Sequence, residues 1–206
     1  MSALAVRTFL TLFVVLNPVG LAPVFVGLAG SRTPRERERI ARKAVMVAGG
    51  VLMSFWLGGA WLLGQLGITL EAFRVAGGLL LFRIAVGMLF AKDERGTEEE
   101  EEEARLRSDI AVFPLGIPLI AGPGAVASVM ILASEASAVR GGGAIVPLAL
   151  AMVLALNYVS LRISAWVTAL MGKTGVNVIT RVLGLLLAAL AVQYVADGAR
   201  PLLHAG

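Results

Sequence analysis

The sequence predicts an all-α integral membrane protein, with six transmembrane helices forming two inverted three-helix repeats and the first helix of each repeat broken by proline and glycine. Three observations carry this reading. Of 206 residues, 58% are hydrophobic and 16% charged, and the mean hydropathy is +0.85, far outside the soluble globular range. Uncharged runs long enough for a hydrocarbon core, which needs about 20 helical residues, recur along the chain. Two of those runs carry prolines at matching spacing: Pro18 and Pro23 in the first, Pro118 and Pro123 in the fourth.

The first run, Thr8 to Ser31, has 24 residues without a charge. Arg7 ahead of an apolar stretch also suits a signal peptide, but five further candidate spans follow it. Inside it lies Asn17-Pro18-Val19-Gly20-Leu21-Ala22-Pro23, a break in mid-membrane. Ser31 to Lys43 holds Arg32, Arg35, Arg37, Arg39, Arg42 and Lys43 against Glu36 and Glu38, and reads as a short, solvated amphipathic turn. Ala44 to Leu70 is the second span. The third, Ala72 to Ala91, carries Arg74 at its start and Arg83 within snorkelling reach of its end, with Glu71 the expected partner of Arg74. An intramembrane arginine is also a candidate for the pathway, so Arg74, Arg83 and the matching Arg181 are kept as pathway or pairing residues.

Lys92 to Asp109, with the run Glu98 to Glu103, is the long hydrophilic linker and divides the chain into repeats 1–91 and 110–206. The fourth span, Asp109 to Met130, is broken by Pro114, Pro118 and Pro123 and loosened by Gly116, Gly122 and Gly124. Each helix-interior proline deletes a backbone hydrogen bond and clashes with the carbonyl four residues back. In lipid such a break is tolerated only where protein or a water-filled cavity satisfies the freed groups. A loop from Ser134 to Gly143 follows. The fifth span runs from Ala144 to about Ala169 with Asn157 in its middle, either bonded to a neighbouring helix or lining a pathway. The sixth is Val178 to Ala196.

Counting loops on alternate sides puts eleven Lys or Arg on one face and Arg7, Arg140 and Arg200 on the other. The positive-inside rule therefore places both termini outside the cytoplasm. The same clustering explains the net charge of +4 by topology and leaves no case for nucleic acid. Without cysteine, disulfides and thiol redox chemistry are excluded, and the one histidine, His204, cannot build a metal cluster or a triad. No nucleophile set lies at membrane depth, so no enzyme, cofactor or metal is expected.

The halves match further. Arg74-Val75-Ala76-Gly77 parallels Arg181-Val182-Leu183-Gly184, and Gly64 with Gly67 parallels Gly172 with Gly175. A three-span unit repeated in tandem enters the membrane from opposite sides. In inverted-repeat transporters the paired broken helices meet near the midplane, offering N–H groups to anions and carbonyls to cations. A zwitterion suits both kinds of end.

The run Asn17-Pro-Val-Gly-x-x-Pro-Val-Phe25, with Pro114-x3-Pro118-x3-Gly122-Pro-Gly124 and Arg181-x2-Gly184, resembles the MarC family of bacterial and archaeal inner-membrane proteins. The resemblance covers nearly the whole chain; the polyglutamate linker is its one departure. It implies a secondary transporter of small neutral amino acids, of the glycine, alanine and serine class, in the cytoplasmic membrane. Asn17, Gly20, Gly122 and Gly124 would then bind substrate, with Asn17 offering its amide and the glycines bare backbone. Asn17 also suits the cap of a helix restarting at Pro18. The coupling ion would be H+ or Na+, and a homo-oligomer in the bilayer is compatible with the sequence. A lipid-carrier flippase or assembly factor of the same architecture is the alternative reading.

Overall fold

The computed structural model describes residues 1–90 and 109–204. Nearly all of the acidic linker therefore lies outside the described residues. The elements are α1 (Ser2–Leu16), α2 (Pro18–Ala29), α3 (Pro34–Gln65), α4 (Leu70–Phe90), an irregular helical segment (Ala111–Ile120), α5 (Pro123–Ser137), a short 3-10 turn (Gly142–Ala144), α6 (Ile145–Arg162) and α7 (Ser164–His204).

Among the described residues, five stretches are long and apolar enough to cross a membrane: Ser2–Ala29, Pro34–Gln65, Leu70–Phe90, Gly142–Arg162 and Thr174–Leu203. Ala111–Ile120 with Pro123–Ser137, bent by 53°, passes the same test as a pair, which gives six candidate spans where the pair is one broken span and five where it is a re-entrant loop. The outward faces carry Met46, Leu57, Trp61, Phe82, Leu148, Met152 and Leu185, which in water would form a costly apolar surface and here face lipid.

Several boundaries differ from the sequence reading. The basic segment is not a turn between spans but the first turns of α3. Thr33 caps that helix reciprocally with Glu36, and Pro34 supplies the first helical position. At about 1.5 Å per residue the 32 residues of α3 outrun a hydrocarbon core of about 30 Å, so its charged turns extend beyond it. The fifth span stops at Arg162, not near Ala169, because Ile163 leaves helical geometry. Residues 164–171 form a separate helical piece before Gly172, whose φ of +61° needs a glycine, and the sixth span then runs from Thr174 to Leu203. Glu135, expected in a loop, lies in the last turn of α5.

One large core joins α1, α2, α3, α5 and α6 through residues such as Leu16, Phe25, Leu52, Val129 and Leu150. A second joins α4, α5 and α7 through Leu81, Ile131, Leu187 and Tyr194. Helix α4 lies antiparallel along α7 in a seam of small residues. A Cβ on Gly198 would fall 2.6 Å from the Glu71 carbonyl oxygen, one on Gly78 2.8 Å from that of Ala191, and one on Gly184 3.3 Å from that of Ala85. Membrane helices gain little from apolar transfer, so such close approach is what joins them.

Candidate functional site

Both breaks border the large core: Leu16 and Leu21 flank the first, and Ile120, Ala121 and Ala125 surround the second. The first break is a single residue. Asn17 sits at φ 44°, ψ 63°, the left-handed region that asparagine tolerates, and its side-chain oxygen accepts the Gly20 N–H at 3.0 Å. Pro18 opens α2, while Pro23 lies inside that helix without interrupting it. Gly20 is buried beneath the Asn17 side chain, whose nearest atom would be 2.2 Å from an added Cβ. What approaches its backbone is therefore the cap itself.

This coupling is testable by melting the purified protein in detergent. Asn17→Ala should cost about 2 kcal/mol, combining a lost cap with an alanine forced into the left-handed region. Asn17→Gly should cost only a few tenths. Gly20→Ala should destabilise the wild-type background and become nearly neutral beside Asn17→Gly, since the obstructing side chain is gone. Additive losses would refute the account.

The other half of the chain reaches this break. Ser160 of α6 donates its hydroxyl to the Pro18 carbonyl at 2.7 Å. One turn before it, Asn157 is fully buried; its amide N–H donates to the Val153 carbonyl at 3.2 Å, and its side-chain oxygen has no partner among the described residues.

The second break is longer. Phe113 and Ile117 leave helical geometry ahead of Pro114 and Pro118, and wide-turn bonds from Leu115 N–H to the Ile110 carbonyl and from Ala121 N–H to that of Gly116 carry the chain through. The helix restarts at Pro123 behind Gly122. A Cβ on Gly122 would sit 2.6 Å from the Pro118 carbonyl oxygen, and one on Gly124 2.7 Å from Leu81. Gly124 thus serves the packing of α5 on α4. Beside this segment, Lys43 donates to Asp109 and holds that carboxyl below its usual range.

Sequence reasoning missed an ionic cluster at the end of the bundle where α1 and α4 begin. Glu135 Oε1 lies 3.4 Å from Nη2 of both Arg7 and Arg74, and Oε2 lies 3.3 Å from Arg7 Nη1. The acid facing Arg74 is thus Glu135 and not Glu71: the last turn of α5 brings it across, whereas Glu71 belongs to the turn that packs against Gly198. The signal was present, since Glu135 is the only acid between Asp109 and Asp197 and loop counting puts it on the side of Arg7 and Arg74. Arg83 and Arg181 are exposed on α4 and α7 and do not join the cluster.

The family model for "MarC family integral membrane protein" matches residues 2–203. The chain is 39% identical to the UPF0056 membrane protein YvbG of Bacillus subtilis over 201 residues, covering 96% of this chain and 95% of that protein. It is 37% identical to a UPF0056 membrane protein of Aquifex aeolicus, over 97% of this chain and 94% of that protein. To YhcE of Escherichia coli it is 33% identical, over 93% and 90%. No solved structure matches. With its spans, its two proline-led restarts and this end-to-end similarity together, the chain belongs to the MarC family of multi-pass integral membrane proteins.

Proposed function

We propose that the chain is a secondary transporter of small neutral amino acids, working by alternating access between two inverted repeats with both termini outside the cytoplasm. The observation that carries the reading is the polar patch at the first break. Ser160 holds the Pro18 carbonyl while Asn157, one turn away, keeps an unpartnered oxygen in an otherwise apolar core. A buried amide acceptor with nothing to accept is costly, and a substrate ammonium or hydroxyl would satisfy it.

The pattern of helix packing supports the inverted arrangement. Exchanging the halves turns the pairing of α2 with α7 into that of α5 with α4, and α1 with α6 into the irregular segment with α3. The pairing of α2 with α6 likewise becomes that of α5 with α3. In this scheme Pro18 corresponds to Pro123, each opening the second half of its broken helix, rather than to Pro118. Their separation then nearly equals that of Arg74 and Arg181, so the repeat gains a consistent register.

The test is counterflow of glycine, alanine and serine in proteoliposomes, with a proton or a sodium gradient imposed. Asn157→Leu should fold and melt like the wild type, because it removes an unsatisfied group at similar volume, yet lower counterflow by about tenfold or more. Absence of exchange for all three amino acids under either gradient overturns the reading. A reporter fused after Gly206 that is active on the cytoplasmic side overturns the orientation.

A further inference from the structure

The cluster at the far end of α5 holds more positive charge than it needs. Two guanidinium groups, on Arg7 and Arg74, face one carboxylate, Glu135, whose side chain is 18% exposed. The three contacts, at 3.3 to 3.4 Å, exceed the 2.7–2.9 Å of a tight charge-assisted bond, so the carboxylate is loosely held. Deeper in the same cluster lie two hydroxyls. Tyr194 of α7 is 1% exposed and Ser128 of α5 is 0% exposed; they neighbour each other, and Tyr194 lies within electrostatic reach of Glu135, Arg7 and Arg74. Among the described residues, neither hydroxyl makes a well-formed hydrogen bond beyond the contact between the two, and Arg74 Nε has no partner. Ser128 and Glu135 are two turns apart on one face of α5, and Ser128 is the nearer to the break at Gly122.

Three buried donors without a well-formed hydrogen bond, beside a surplus of one positive charge, describe a receptor for a single small anion. We infer that Arg74 Nε, Ser128 Oγ and Tyr194 Oη bind the carboxylate of the transported amino acid. The assignment rests on the transport reading for its ligand. A carboxylate, with two acceptor oxygens, can take bonds from donors on three helices, α4, α5 and α7, where a halide presents a single atom.

The experiment is ligand binding to the purified full-length protein, read by calorimetry, with glycine, acetate and chloride as probes. Glycine and acetate should bind and chloride should not. Tyr194→Phe and Ser128→Ala should each weaken both carboxylates by about tenfold, the loss of one hydrogen bond to a charged group. Melting temperature should stay close to that of the wild type in both variants, since each removes a buried hydroxyl without a well-formed hydrogen bond. A purely structural role would lower it instead. Chloride binding as well as acetate, carboxylate affinities unchanged in both variants, or no binding at all each overturns the site. Counterflow separates this failure from that of the transport reading. Robust counterflow indifferent to both variants removes the site and leaves the transporter. Carboxylate binding sensitive to both, with no counterflow, removes the transporter and leaves the site.

Discussion

Glu135→Gln is expected to lower the stability of the detergent-solubilised protein by about 2–3 kcal/mol. Removing one member of a buried ion pair costs about 3–5 kcal/mol because the partner's charge stays desolvated, and Arg7, at 49% exposure, recovers part of that from solvent. Two guanidinia would then confront each other across a neutral amide. Arg74→Gln added to Glu135→Gln should restore about half of the loss, a coupling that a double-mutant cycle measures directly. A Glu135→Gln protein melting within a degree of the wild type would mean that the three side chains do not act as a unit.

Opposite signs are expected for two glycines of one helix. Gly78→Ala should destabilise by about 2 kcal/mol, because its Cβ would meet Val195 Cγ2 at 2.7 Å and the backbone of Ala191 and Val195 at 2.8 and 3.0 Å. Backbone cannot yield as a side-chain tip can, so α4 must lift off α7. Gly87→Ala, with nothing within 4 Å of its added Cβ, should stabilise by about 0.5–1 kcal/mol through helix propensity alone. Thermal melts of the two variants in one detergent decide the matter, and a loss in both would show that the seam between α4 and α7 is not what distinguishes them.

By itself the sequence determined the membrane class, the apolar segments able to cross a bilayer and the presence of two proline-led breaks. These depend on local composition: about 20 apolar residues span a bilayer wherever they lie, and a proline removes its N–H in any fold. The cap at Asn17 was legible for the same reason, since cap and capped N–H are three residues apart.

Tertiary structure decided what depends on contacts between distant segments. That Gly20 lies against the Asn17 side chain and Gly124 against Leu81 follows from neighbours that a linear pattern does not rank. That Glu135 meets Arg7 and Arg74, and that Ser128 meets Tyr194, required α5 to lie beside α1, α4 and α7 at one rotation about its axis. Hydropathy sets which helices enter the membrane but not their rotation there, because lipid is as apolar as the helix faces it replaces. Close packing at the small residues fixes the rotation, and with it which polar atoms face each other in the interior.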